Sequence, residues 1–466
     1  MTKKNTIGLG LITIVASLGG FLFGFDMAVI SGVLPFVEKQ FALSPAQEGW
    51  FVSAALVGCI IGVAFSGELS DRLGRRRPLL LSAFLFLLSA IGCAYLPGLS
   101  LVIASRLIGG FGIGIASNVV PLYISEIAPA NIRGRLVTYY QFALTFGILV
   151  AYLSNAALVN YNTNGGELFK DEIWRAMFGL GAIPAILFVL GLLIIPESPR
   201  WLISKGRISE GREIIEQISG SQTADAETTE QSAQTEGSYK EIFAPNMRRA
   251  LLIGILLPLF SQFSGINAII YYGPSILSNA GISLSNSLIS QIIFGTANML
   301  FTLVAIWKVD SWGRRPLYLW GTAGAAITLV ATGFCFYFGA TTSIWLLICV
   351  LAFLACFAFS IGPLKFVVAS EIFPNAIRGR ALAISIMTMW VADTIVGQLT
   401  PILLKGLGTA GTFWFFGFFC VVAFLVVYKL LPETKGQSLE HIENYWKEKG
   451  IDPSKEQFNN TQTPIH

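Results

Sequence analysis

Asp26 is the single charge between Lys4 and Glu38. It stands in Gly19-Gly20-Phe21-Leu22-Phe23-Gly24-Phe25-Asp26-Met27-Ala28-Val29-Ile30-Ser31-Gly32, inside an apolar run long enough to cross a bilayer as a helix. A charged carboxylate at mid-membrane costs about 2.5–3.5 kcal/mol on insertion scales. A chain keeps such a group when it faces a polar cavity, has a cation beside it, or binds a proton. The four glycines leave notches where another helix or a ligand can come close. The chemistry to expect is therefore proton binding inside a membrane. Covalent catalysis is not expected: no metal cluster, nucleophile constellation or Gly-x-x-x-x-Gly-Lys phosphate loop is visible. No cofactor and no metal are expected, and an enzyme is not the reading.

The elements that must hold Asp26 follow from composition. The chain has 466 residues, of which 54% are hydrophobic and 12% charged. Soluble domains average about 25% charged residues, so an all-α membrane protein is implied. Spanning runs lie near Ile7–Phe36, Gly49–Ser66, Pro78–Leu96, Leu99–Ile124, Leu136–Leu158 and Ile173–Ile195. Six more lie near Ala250–Leu277, Ser287–Trp307, Pro316–Phe338, Ile344–Val368, Ala381–Leu403 and Thr412–Leu431. Twelve transmembrane helices in a six-plus-six arrangement are predicted. The division is residues 1–195 for the first half, 196–249 for a cytoplasmic linker, 250–431 for the second half and 432–466 for a cytoplasmic tail. Within the linker, Glu210–Ile218 has helical spacing and Ser219–Ser238 reads as flexible. Leu439–Lys449 reads as a short helix in the tail.

Basic loops occur at Arg72–Arg77, Arg133–Arg135, Arg314–Arg315 and Arg378–Arg380. All join even-numbered to odd-numbered helices, so they share one side, which the positive-inside rule makes cytoplasmic, with both termini. The net charge of +4 is accounted for by these loops and requires no nucleic acid. The six cysteines form no CxxC pair, which argues against disulfides and zinc.

Internal repetition sets the architecture. Ser125-Glu126-Ile127-Ala128-Pro129-Ala130-Asn131-Ile132-Arg133-Gly134-Arg135 recurs as Ser370-Glu371-Ile372-Phe373-Pro374-Asn375-Ala376-Ile377-Arg378-Gly379-Arg380. Asp71-Arg72-Leu73-Gly74-Arg75-Arg76 recurs as Asp310-Ser311-Trp312-Gly313-Arg314-Arg315, and Pro196-Glu197-Ser198 as Pro432-Glu433-Thr434. Two six-helix halves of the same orientation follow, with a substrate site between them near the midplane.

These motifs resemble the sugar porter family of the major facilitator superfamily, nearly end to end. They are joined by Arg106 to Gly114, Pro121-Leu122-Tyr123-Ile124-Ser125-Glu126, Pro196-Glu197-Ser198-Pro199-Arg200-Trp201-Leu202, Gln262-Phe263-Ser264-Gly265-Ile266-Asn267 with Tyr271 and Tyr272, and Pro432-Glu433-Thr434-Lys435-Gly436. The resemblance implies import of a monosaccharide or related polyol by alternating access, with a proton or by facilitated diffusion. It implies that Arg106 faces Asp26 and couples its proton to the motion. It also implies that Arg75, Glu126, Arg133, Glu197, Arg314, Glu371, Arg378 and Glu433 form gating salt bridges. The implied substrate positions are Gln141, Gln262, Asn267, Asn298 and Trp390, with Phe23 and Tyr271 nearby, and Gly362, Phe366 and Asp393 in the motifs of helices ten and eleven. Amides both donate and accept, which suits hydroxyls, and aromatic faces suit the C–H face of a pyranose.

The chain departs from the family pattern in five places. Ser261 replaces the first of two adjacent glutamines, Phe366 replaces a tryptophan, and Met389 replaces an amide. Lys365 and Asp393 bring two opposite charges into the membrane. They are expected to pair with each other or to contact a polar group of an unusual substrate; Lys365 could also snorkel away. A proton-coupled symporter is the first reading, a uniporter the second and a non-transporting sugar sensor the third. The partners expected are a sugar or polyol, a proton and the lipid bilayer of a bacterial inner membrane, with the protein a monomer.

Overall fold

The structure, a computed structural model, describes residues 8–129, 132–166, 168–169, 172–219, 239–279, 281–341, 344–373 and 377–435. Twelve helices in the described residues are long and apolar enough to cross a membrane. They are α1 (Leu9–Phe41), α2 (Pro45–Leu73), α3 (Arg76–Tyr95), α4 (Leu99–Ile127), α5 (Arg133–Thr163) and α6 (Ile173–Ile194). The second set is α7 (Arg248–Ser278), α8 (Leu284–Trp312), α9 (Arg314–Tyr337), α10 (Ile344–Ala369), α11 (Arg378–Gly406) and α12 (Gly408–Leu430). In hydrocarbon every backbone polar group must be satisfied within the segment, which is why these apolar runs become helices. Several helices outrun their apolar runs. The second run ends near Ser66, yet α2 continues through Glu68 and Arg72, whose side chains pair at 2.6 Å in the polar final turns. A surface helix at Ile208–Ser219 covers the helical stretch expected in the linker. The expected linker 219–238 and tail helix 439–449 lie outside the described side chains.

Within the first half α1 packs along α5, and α2 along α4; in the second half α7 packs along α11, and α9 along α12. The halves meet where α2 lies on α11, α5 on α8 and α1 on α7. The glycine notches of α1 receive α5: a Cβ on Gly24 would overlap the Leu144 carbonyl oxygen. Such small residues let helix backbones come together where lipid supplies no hydrophobic drive.

Among the described residues α6 is interrupted at Leu180-Gly181, and two helices of the second half, α7 and α10, are irregular too. α7 consists of Arg248–Phe263 and Ile266–Asn279, broken at Ser264-Gly265. Gly265 sits at φ +82°, a left-handed conformation that side chains oppose, and Phe416 packs where its Cβ would be. α10 widens to a π-helical turn at Phe357–Ile361, immediately before Gly362-Pro363. Pro363 has no N–H to give the preceding turn, so the wider turn accommodates the lost bond.

Candidate functional site

The break in α7 builds the first part of the site. It lets Asn267 turn back on Gln262, five residues earlier, and donate Nδ2–H to its Oε1 at 2.9 Å. The same amide group donates to Oδ1 of Asp393 on α11 at 2.7 Å. Tyr271, one turn further on, donates its hydroxyl to Asp393, 3.0 Å from Oδ2 and 3.2 Å from Oδ1. Lys365 on α10 donates Nζ–H to Ser261 Oγ at 3.0 Å, next to Gln262. All of these side chains are buried, Asp393 to 1% exposure. Both charges fall within one polar cluster, within electrostatic reach of each other. That cluster lies in the second half and ends on the first: the Tyr271 hydroxyl is 3.1 Å from Sδ of Met27 on α1.

Met27 adjoins Asp26, and the two line one small cavity with Arg106 and Tyr271. A second small cavity, lined by Phe86, Ser89 and Phe178, lies on the other side of Asp26. Among the described residues no hydrogen bond or ion pair reaches the Asp26 carboxylate. Arg106 is 3% exposed and donates Nε–H to the Phe51 carbonyl at 3.1 Å, while its Nη1 is buried without a hydrogen-bond partner. Its guanidinium lies 5.6 Å from the Phe51 ring centre and 5.3 Å from that of Phe178. The acid and base share a cavity without forming an ion pair.

Trp390, fully buried on α11, closes the middle of the seam. Its ring lies 5.1 Å from that of Phe23 on α1, and its Nε1–H donates to Ser117 Oγ on α4 at 3.3 Å. The end opposite the basic loops is also shut. Ser53 on α2 donates to Gln398 Oε1 on α11 at 3.0 Å, and Gln398 Nε2–H donates to the Ala46 carbonyl at 2.9 Å. Tyr152 on α5 donates to the Ile270 carbonyl of α7 at 3.4 Å across the halves, while within the second half Tyr272 donates to the Gly397 carbonyl at 2.6 Å.

At the basic end the repeated motifs give repeated geometry. Arg75 engages Glu126 through Nε at 2.8 Å and Nη2 at 2.7 Å, and Ser198 Oγ donates to the same carboxylate at 2.5 Å. Glu197 accepts the Arg75 and Arg76 backbone N–H groups at the start of α3, at 2.8 and 3.2 Å. The second half repeats this with Arg314 on Glu371 at 2.8 Å, Thr434 on Glu371 at 2.6 Å, and Glu433 accepting the Arg314 and Arg315 N–H groups at 2.9 and 3.1 Å. A carboxylate at a helix N-terminus satisfies open N–H groups and opposes the helix dipole. Each network joins helices of one half. The side chains of Arg133, Arg378 and Phe366 lie outside the described ones.

Of the residues expected at a substrate site, the structure joins Gln262, Asn267, Tyr271 and Asp393 in one cluster, and Phe23 with Trp390 in another contact. Gln141 and Asn298 are joined to neither; their described hydrogen bonds are those that their backbone carbonyls accept from Thr145 and Thr302. Gly362 is buried at the start of the last segment of α10. Ser117, Met27, Ser53 and Gln398 were not expected. Their partners are more than 200 residues away in sequence, and only the polar residue types in apolar runs could have flagged them.

Twelve spans in two like-oriented halves, with a buried polar cluster at the seam, define a multi-pass transporter of the major facilitator type rather than an enzyme. The chain belongs to the sugar (and other) transporter family, whose model matches residues 12–446. It is 40% identical over 451 residues to an arabinose-proton symporter of Bacillus subtilis, spanning 96% of this chain and 97% of that one. It is 38% identical over 483 residues to a D-xylose-proton symporter of Escherichia coli, spanning 96% and 97%. A partially occluded, inward-open structure of the Escherichia coli xylose transporter superposes with a TM-score of 0.82 at 37% identity, over 92% of this chain and 99% of that one.

Proposed function

We propose that the protein imports a monosaccharide or related polyol together with a proton, by alternating access, with Asp26 as the proton site. The observation that carries this reading is the cavity holding Asp26 and Arg106 unpaired beside a seam of sugar-compatible groups. An arginine stays protonated. Close to Asp26 it favours the carboxylate; apart from it, the acid holds a proton more readily. A proton at Asp26 therefore biases the balance between two states of the bundle. Family membership and the symporter names of the relatives support a sugar and a proton as cargo.

The substrate would sit between Gln262, Asn267 and Trp390. Both N–H groups of Asn267 are used, on Gln262 and Asp393, so its carbonyl oxygen is the atom turned to a ligand hydroxyl. Trp390 and Phe23 would supply the aromatic face, and Gln141 and Asn298 would join when the halves rock. The shut end opposite the basic loops and the likeness to an inward-open transporter support an inward-facing state. In this account the basic end is cytoplasmic, both termini lie there, the membrane is a bacterial inner membrane and the protein acts as a monomer. The two networks of Arg75, Glu126 and Glu197, and of Arg314, Glu371 and Glu433, would keep each half rigid and present Arg133 and Arg378 to the opposite half on closure.

The test is external pH in a lightly buffered suspension of cells expressing the protein, after adding pentoses, hexoses and cyclitols one at a time. Alkalinisation with one compound, lost in Asp26→Asn while labelled counterflow persists, is expected. Counterflow without any pH change in the wild type would leave a uniporter.

A further inference from the structure

We propose that Asp393 is a second proton-binding group of the cycle, and that the Tyr271 hydroxyl switches between Asp393 and Met27 as that proton comes and goes. The proposal rests on the reading of the chain as a proton-coupled transporter.

Tyr271 carries one hydroxyl proton and has three acceptor atoms in range: Asp393 Oδ2 at 3.0 Å, Asp393 Oδ1 at 3.2 Å, which already accepts the shorter bond from Asn267 at 2.7 Å, and Met27 Sδ at 3.1 Å. It can donate to one at a time. An ionised Asp393 takes the bond, because a carboxylate is a far stronger acceptor than a thioether. When Oδ2 is protonated the order reverses. The new carboxyl O–H donates to the Tyr271 oxygen, and the phenol turns its own proton to Met27. One O–H bond forms at Oδ2, the proton comes from a hydronium ion that leaves as water, and the cluster gains one positive charge. Tyr271 keeps its proton throughout, and no heavy atom has to travel.

This switch has a place to act. Met27 adjoins Asp26, and Met27, Asp26, Arg106 and Tyr271 line the same cavity. A proton on the second half therefore strengthens a contact to the first half beside the first proton site. The charged and titratable groups around Asp393 are Lys365 on α10, Tyr271 and Tyr272 on α7, and Cys59 on α2. Cys59 is within electrostatic reach of both Asp26 on α1 and Asp393, with Arg106 on α4 beside it. No charged side chain of α12 is within such reach of Asp393 among the described ones. Near the seam each half thus holds one acid with one base, Asp26 with Arg106 and Asp393 with Lys365, and in both the base is on the fourth helix of its half. Two bound protons would raise the accumulation limit at 100 mV from about fifty-fold to about two-thousand-fold.

The test is a substrate-free infrared titration of the full chain in lipid nanodiscs, from about pH 4 to about pH 9, reading the C=O stretch of protonated carboxyls. Exposed carboxyls titrate alike in every variant and cancel in the differences. Two specific components are expected: one missing from Asp26→Asn, the other missing from Asp393→Asn and shifted in frequency in Tyr271→Phe. If Asp393→Asn loses nothing relative to wild type, the second proton is overturned; if Asp26→Asn alone loses a component, the Asp26 reading stands without it. If Asp393→Asn alone loses a component, the second proton stands and the Asp26 reading falls. Should Asp393→Asn fail to fold, Asp393→Glu must displace the component, and an unmoved spectrum overturns the proposal.

Discussion

The two halves agree at the basic end and differ in the interior. At the basic end an arginine, a glutamate and a hydroxyl form one arrangement twice, with a second glutamate on the following helix start. In the interior the first half leaves Asp26 and Arg106 unpaired on a cavity, whereas the second half binds Asp393 with an amide and a phenol. Charge that fixes structure is paired and repeated; charge that could change its state is held where the repeat breaks down. The lesson is that the shared scaffold and the working interior are under different physical demands, and each can be perturbed without the other.

The largest stability effect belongs to the repeated networks. Glu126→Gln takes from the Arg75 guanidinium, whose side chain is 11% exposed, its close bidentate carboxylate and leaves only the exposed Asp71 at 3.5 Å. Breaking a buried pair costs about 3–5 kcal/mol, so the melting temperature in detergent should fall more than for any other substitution considered. Glu371→Gln should cost clearly less, because the Glu371 side chain is 24% exposed against 8% for Glu126. Equal losses would mean that exposure does not distinguish the halves.

Next comes the shut end. Gln398→Ala removes one bond to Ser53 and one to the Ala46 carbonyl. At about 1 kcal/mol each, the balance should move roughly thirty-fold toward opening of that end. A membrane-impermeant maleimide should then label a cysteine placed at Val52, 2% exposed and packed against Gly397, faster; an unchanged rate would remove Gln398 from the closure.

The smallest effect is at the surface of the first half. Arg175 bonds Glu172 at 2.6 Å, Gln40 adds a second bond, and together they hold the Glu172 carboxyl below its ordinary value. A carboxyl depressed on folding contributes stability above its unfolded pKa and loses it as pH falls through the folded one. The melting temperature should therefore drop slightly below about pH 4, and Glu172→Gln should flatten that drop. A wild type with no such slope would show the contact to be screened by solvent.

Much of the fold was legible. Twelve apolar runs and three repeated motifs led to twelve spans and two matching networks, because hydrocarbon leaves few alternatives to a helix and because paired acid and base types recur together. The seam was harder to read. Gln262 and Asn267 meet only because Gly265 breaks α7, and a helical wheel places them apart. Lys365 and Asp393 were visible as misplaced charges, but their neutral partners Ser261 and Tyr271 depend on how α7, α10 and α11 cross. Gln141 and Asn298 stay outside the cluster, and in the proposed cycle they would join it only when the halves rock.

The most direct measurement is sugar accumulation in proteoliposomes under an imposed inward proton gradient, with the compound that gives alkalinisation in cells. Wild type should concentrate the sugar well above equilibration, toward the one-proton limit of about fifty-fold at a driving force equivalent to 100 mV. Asp26→Asn should only equilibrate it, with counterflow preserved. An Asp26→Asn protein that concentrates the sugar as wild type does would contradict the central claim that the proton is carried at Asp26.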